Sequence, residues 1–193
     1  MKTVACFSIA LLSICDCFGQ LTKGNWLIGG NGKLYSYTSS YRNSTYNTDA
    51  KFTETDLAVS LGYFFVDKLG LGLRPQFSWK KGHGLGATSG VVTNVKHFVI
   101  GPLARWYFLS TDKPYNILTD VSYQLGINDW HGQSGNINTF SIMAGPAIFF
   151  NNCVGIEFLF GYSSRKENIK DTYTDKNRGF QASVGFQIHL EKE

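Results

Sequence analysis

The chain has 193 residues, 18 Lys and Arg against 14 Asp and Glu, and a net charge of +4. That is enough chain for one domain, and no linker, low-complexity tract or shift of composition divides it. The positive charge is small and unclustered, which gives no support to a nucleic-acid partner.

Met1 to Gln20 follows the plan of a secretory leader: an early Lys2, an apolar run from Val4 to Ile14, then small and polar residues ending in Phe18-Gly19-Gln20. The run is too short to span a bilayer as a helix. Cleavage is expected near Gly19 or Gln20, leaving residues 21–193 as the mature domain. Acylation at Cys15 or Cys17 is disfavoured by Ile14 and Asp16 just before them. Of the four cysteines, Cys6, Cys15 and Cys17 leave with the leader. Cys153 then remains alone, so no intramolecular disulfide stabilises the exported chain.

The mature sequence reads as eight strands joined alternately by long polar loops and short turns. The first strand, Asn25 to Tyr37, sets Trp26, Ile28 and Leu34 against Asn31 and Lys33. A loop rich in Ser, Thr, Asn and Tyr follows, from Ser39 to Lys51. The second, Phe52 to Val66, sets Leu57, Val59, Leu61, Tyr63 and Phe65 against Ala58, Ser60 and Gly62. Asp67-Lys68 makes a tight turn. The third sets Leu69, Leu71, Leu73, Phe77 and Trp79 against Gly70, Gly72, Arg74, Gln76 and Ser78, with Pro75 as a residue that cannot donate to a ladder.

After a Gly-rich loop from Gly82 to Val92, the fourth strand, Val95 to Phe108, opposes Phe98, Ile100, Ala104, Trp106 and Phe108 to Val99, Gly101, Arg105 and Tyr107. A turn over Ser110 to Pro114 leads to the fifth, Tyr115 to Ile127, where Ile117, Val121, Tyr123 and Leu125 alternate with Asn116, Asp120, Ser122 and Gln124. A third loop spans Asn128 to Asn138. The sixth strand sets Phe140, Ile142, Ala144, Ile148 and Phe150 against Ser141, Gly145 and Ala147, and Asn151-Asn152 turns the chain. The seventh sets Val154, Ile156, Phe158, Phe160 and Tyr162 against Gly155, Glu157 and Gly161. A fourth loop covers Arg165 to Asn177. The last strand, Gly179 to Leu190, alternates without a break.

No segment forms a convincing amphipathic helix or an apolar run of eighteen residues. Eight antiparallel strands linked neighbour to neighbour would leave two bare edges unless the sheet closes. The fold class is therefore an all-β, eight-stranded antiparallel up-and-down barrel. A soluble, lipocalin-like barrel would need apolar side chains inside. The second face here carries Gly, Ser, Gln, Asn, Arg, Asp and Glu, which suits a narrow polar lumen with lipid outside, a transmembrane barrel. Aromatics fall into two groups. Trp26, Phe64, Phe65, Trp106, Tyr107, Phe108, Tyr115, Phe149 and Phe150 lie toward the short turns. Trp79, Trp130, Phe140, Tyr162 and Phe180 lie toward the long loops. Two such girdles mark the two membrane interfaces.

With its leader, eight alternating segments, short inner turns and amphipathic last strand, the mature chain resembles the small outer-membrane β-barrel family of diderm bacteria, of the OmpX and OmpA-barrel kind. The resemblance implies an exported protein inserted by the barrel-assembly machinery and surrounded by outer-membrane lipid and lipopolysaccharide. It carries over no catalytic or binding motif. One departure is the C-terminus, which runs past Phe186 to Leu190 and then Glu-Lys-Glu instead of ending on an aromatic residue.

Arg74, Arg105, Asp120 and Glu157 lie on the polar face a few residues from their short turns. They are expected to pair across the lumen as a plug, because unpaired buried charge is costly. The alternative is a gate or selectivity ring in a small pore for ions or solutes. His83, His97 and His131, with Ser134 near the last, gather toward the outer loops, but their spacing matches no metal site and no acidic partner completes a catalytic set. No cofactor, metal or catalytic residue is assigned. The polar loops read either as a surface for an unknown extracellular ligand or as a solvated rim facing lipopolysaccharide, where Lys80, Lys96 and Arg165 would meet phosphate. The expectation is a monomeric, non-enzymatic outer-membrane barrel with a structural or surface-binding role.

Overall fold

Alternation of inward and outward side chains runs through every strand of the computed structural model, which describes residues 21–42, 47–85, 92–111, 113–130, 133–151, 153–169 and 173–190. The leader proposed for residues 1–20 and the charged tail of residues 191–193 lie outside them. The strands are β1 (Trp26–Arg42), β2 (Asn47–Val66), β3 (Leu69–Leu73), β4 (Gln76–Leu85), β5 (Val92–Ile100), β6 (Pro102–Tyr107), β7 (Tyr115–Trp130), β8 (Gln133–Phe149), β9 (Val154–Ile169) and β10 (Tyr173–Leu190).

These ten segments make eight staves. Each of β3–β4 and β5–β6 is one stave with a local break, at Arg74-Pro75 and at Gly101. Pro75 has no N–H to give, yet its carbonyl still accepts from the Val59 amide at 3.0 Å, and Arg74 N donates to Gly101 O at 2.9 Å. Both staves therefore stay in register across their breaks. All neighbours are antiparallel, and β1 pairs with both β2 and β10, so the sheet closes without an edge.

The stagger of the closure follows from the pairings. Trp26 pairs with Leu190 of β10 directly. Going round the other way, through Tyr63, Leu71, Ala104, Val121, Ile142 and Tyr162, the same row arrives at Phe180, ten residues from Leu190. A stagger of this size tilts eight strands by about 40°. At about 3.3 Å per residue, Phe180 to Leu190 then rises roughly 25 Å along the axis, the height of an outer-membrane apolar band.

The outward face fits that environment. Leu57, Leu61, Leu73, Ile117, Leu125, Ile142 and Val184 are all exposed, as are Trp26, Phe65, Trp106, Phe108 and Phe150 at one end and Trp79, Phe140, Phe160 and Phe180 at the other. Soluble monomers rarely leave so much contiguous apolar surface bare. Trp26 and Tyr63 rings meet edge to face at 5.1 Å in the lower belt, and Tyr162 and Phe180 at 6.1 Å in the upper.

Two inward glycines show how closely the staves pack. A Cβ on Gly101 would stand 2.0 Å from Tyr123 O, and one on Gly145 would stand 1.9 Å from Phe158 O. Neighbouring backbone occupies that space, so only glycine fits.

The polar connections at the outer end are shorter than expected. β1 continues to Arg42 and β2 resumes at Asn47; β7 runs to Trp130 and β8 starts at Gln133; β9 reaches Ile169 and β10 begins at Tyr173. Much of what the composition marks as loop is hairpin. Thr, Tyr and Ser favour strands, and in water cross-strand pairing does not require an apolar face. The short turns are as expected at Asp67-Lys68, where Lys68 adopts φ 69°, and at Asn151, whose Oδ1 accepts from Cys153 N and Val154 N.

Candidate functional site: the layered lumen

Inward side chains stack into three layers. At the short-turn end the layer is apolar. Leu27, Phe64, Tyr107, Leu118, Ala147 and Phe149 pack together, joined by Leu21, which enters from the segment ahead of β1. That segment is tied down by Lys68 N donating to Leu21 O at 2.7 Å and Gly24 N donating to Phe64 O at 2.9 Å. Phe64, Tyr107 and Phe149 each contact the ring of His189, with centroids at 5.5, 6.1 and 5.6 Å. Cys153 is buried and forms no disulfide among the described residues.

Phe64, Tyr107 and Phe149 therefore belong to the lumen and not to the girdle where the sequence reading put them. Tyr107 is fully buried. Its parity with Arg105 places it inward, and the apolar filling of the lower lumen gives its ring a site. Its hydroxyl donates to Gln187 Oε1. Of the other girdle residues, Trp26, Trp79 and Trp106 are exposed on the outward face, and Tyr162 shares it. The side chain of Trp130 lies outside the described residues.

The middle layer is ionic, and it brings Arg74, Arg105, Asp120 and Glu157 together. Arg105 and Asp120 are direct partners across β6 and β7. Arg105 donates from Nε and Nη2 to Asp120 Oδ2 at 3.0 and 2.8 Å, and from Nη1 to Glu157 Oε2 at 2.7 Å. Arg74 comes down from the β3–β4 break and donates from Nη1 and Nη2 to the two oxygens of Asp120 at 2.6 and 2.7 Å. Its Nε donates to Ser60 Oγ at 2.9 Å. Arg105 Nη1 also reaches Gln187 Oε1 at 3.3 Å, and Gln124 Nε2 donates to Arg74 O at 2.9 Å.

Two cations and two anions balance, and each carboxylate is held by a fork of N–H donors, the arrangement that repays burial. Asp120 and Arg105 are 0 % and 1 % exposed. The network ties β2, the β3–β4 stave, β6, β7, β9 and β10 to one another across the axis.

The outer layer is polar and looser. Arg165 donates to Glu54 Oε1 at 3.3 Å and lies 3.9 Å from Glu167. Lys33 donates to Gln181 Oε1, and Gln181 Nε2 in turn donates to Ser141 Oγ at 3.3 Å. Asp56 Oδ1, His97 Nδ1, Ser122 Oγ and Thr139 Oγ1 are buried without a hydrogen-bond partner among the described residues. Arg165 and Lys80 thus sit on the lumen side, Lys80 over the Phe52 ring at 4.8 Å, instead of facing lipid as expected. Lys96 does face outward. His97 is inside the barrel, His83 is exposed outside it, and His131 lies outside the described residues. Among the described residues no three His, Cys, Asp or Glu side chains are grouped to hold a metal.

No protein-family model matches the chain, and no curated protein matches it in sequence. Among solved structures it is similar to Neisserial surface protein A, at 16 % identity and a TM-score of 0.50 over 86 % of this chain and 97 % of that one. Alignments also reach outer membrane protein OprG from Pseudomonas aeruginosa, with 13 % identity and a TM-score of 0.47 over 89 % and 98 % of the two chains. The N-terminal β-barrel domain of Pseudomonas aeruginosa OprF aligns at 14 % and 0.39 over 87 % and 98 %. At such identity the likeness concerns fold alone, and the fold is that of a small outer-membrane β-barrel.

Proposed function

We propose that this chain is a non-enzymatic integral protein of the bacterial outer membrane, with a closed lumen and a structural or surface-displaying role. The observation that carries the reading is the double seal. A neutral four-residue ionic network lies over an apolar layer in which Leu21, Phe64, Tyr107 and Phe149 meet. An eight-stranded interior is only just wide enough for its own side chains, and here large ones occupy it. A continuous water path would have to break bidentate Arg–carboxylate pairs in a low-dielectric site.

What remains for function is the outer end. The unpartnered Asp56, His97, Ser122 and Thr139 atoms read as the floor of a shallow vestibule, and the extended hairpins above the membrane as the surface offered to the exterior. Single-channel recording in planar bilayers tests the seal. The native barrel is expected to give no steady conductance, whereas Arg105→Ala is expected to give small, flickering openings. Stable conductance from the native protein would make it a pore instead.

A further inference from the structure

We infer that the vestibule above the ionic layer binds a small molecule through a primary ammonium group, held between Asp56 and His97. The inference rests on the sealed, outward-facing vestibule proposed above and adds the chemistry that it takes.

Asp56, Ser78 and His97 form one row across β2, β4 and β5, since Ser78 is the register partner of both. All three side chains are buried in the lumen, Asp56 and His97 at 6 % exposure each. Asp56 Oδ1 and His97 Nδ1 nevertheless have no hydrogen-bond partner among the described residues. On the concave inner face of so narrow a barrel, next-but-one side chains in a row converge. The residue between them is a serine, whose short side chain leaves a notch. Below the notch lies the seal: Asp56 stands two inward positions above Ser60, which accepts from Arg74 Nε at 2.9 Å. Entry and exit are therefore from the outer side.

The charges of the vestibule choose the ligand. Lys33 is the register partner of Asp56, yet its ammonium donates to Gln181 Oε1. Arg165 is engaged by Glu54 and Glu167, and Lys80 lies over the Phe52 ring. A carboxylate oxygen kept from water without a donor is costly, so a cation that brings N–H groups gains most by entering. An anion would be repelled by Asp56. A metal ion would lack ligands, because no three His, Cys, Asp or Glu side chains gather for one among the described residues. A primary ammonium carries a full charge and three N–H donors. Asp56 Oδ1, Ser78 Oγ and His97 Nδ1, in the tautomer protonated at Nε2, are three acceptors for it. Thr139 Oγ1, unpartnered on β8 across the lumen, is available to a polar group elsewhere on the molecule.

The test uses the purified full-length barrel in detergent micelles, isotope-labelled at histidine Cε1 and titrated by NMR at constant pH and ionic strength. Ethylammonium is the probe, and tetramethylammonium, a cation without an N–H, is its control. The His97 resonance, identified by its loss in His97→Gln, is expected to shift saturably with ethylammonium and not with tetramethylammonium. Asp56→Asn is expected to weaken the apparent affinity by about tenfold or more, because a charge-assisted hydrogen bond is lost. Ser78→Val, which fills the notch without touching a charge, should weaken it comparably, and Lys113→Gln at the short-turn end should leave it unchanged. Heat-modifiable migration identifies the folded variants on which the comparison is made. No saturable shift, an equal shift with tetramethylammonium, or saturation by sodium or magnesium chloride alone would overturn the site. Native-like binding by folded Asp56→Asn or Ser78→Val protein would overturn it too. Conductance of the same native protein separates the two readings. A silent barrel without a saturable shift removes the ammonium site alone, and a conducting barrel that keeps the shift removes the seal alone.

Discussion

Arg105 and Asp120 are direct partners on neighbouring strands, and two nitrogens of the Arg105 guanidinium converge on one carboxylate oxygen, Asp120 Oδ2, at 3.0 and 2.8 Å. The other oxygen, Oδ1, accepts from Arg74 Nη1 at 2.6 Å, so both oxygens of Asp120 are held, while Glu157 depends on Arg105.

Removing Arg105 should therefore be worse than removing the whole ion pair. Arg105→Leu leaves Glu157 buried without its main donor and is expected to destabilise the barrel by about 3–5 kcal/mol, whereas Arg105→Leu/Glu157→Leu should recover most of that loss. Urea unfolding in lipid vesicles, followed by heat-modifiable migration, measures both. A double variant less stable than the single one would show that the network does not act as a unit.

Tyr107 distinguishes a lumen residue from a girdle residue. Tyr107→Phe removes the donor to Gln187 Oε1 and is expected to lower stability by about 1 kcal/mol. Trp106→Phe, one residue away on the outward face, keeps an aromatic in the belt and should cost less. Identical urea midpoints for native and Tyr107→Phe protein would return Tyr107 to the surface.

Leu73 lies on the outward face near mid-height and is 52 % exposed. In a bilayer, Leu73→Arg is expected to cost about 2–4 kcal/mol, because the guanidinium meets hydrocarbon. On a soluble barrel the same exposed change would fall within about 0.5 kcal/mol. Folding yield into vesicles reads the difference directly.

Gly145 and Gly179 differ in what a methyl group would meet. Gly145→Ala drives a Cβ to 1.9 Å from Phe158 O, whereas Gly179→Ala meets nothing within 4 Å. The first is expected to cost at least about 2–3 kcal/mol, since backbone on the adjacent stave must move. The second should be silent. Comparable unfolding curves for the two would mean that the β8–β9 contact is looser than drawn.

Strand count, face and the four inner charges were legible because each depends on a period of two, and Phe180 to Leu190 states it without interruption. Arg74, Arg105, Asp120 and Glu157 share parity with small residues, which left them no other side to face. The same parity rule, carried further, places Lys80 and Arg165 inward and Lys81 and Lys166 outward; reading those cations by nearness to a loop gave the wrong side. The apolar lower layer was hidden because inward Leu27, Phe64, Leu118 and Phe149 resemble lapses in the pattern. Hairpin length was hidden because Ser, Thr, Asn and Tyr read as loop in composition but pair well as strands in water. The ten-residue stagger depends on pairing between strands, which no single strand contains.

The most direct test of the whole account is gel migration of the unboiled and boiled protein from an outer-membrane fraction of cells expressing the full chain. The account predicts that the protein is found in that fraction, and that the unboiled form runs as a compact barrel and shifts on boiling. Recovery of the protein in the soluble fraction, with identical migration before and after boiling, would contradict it.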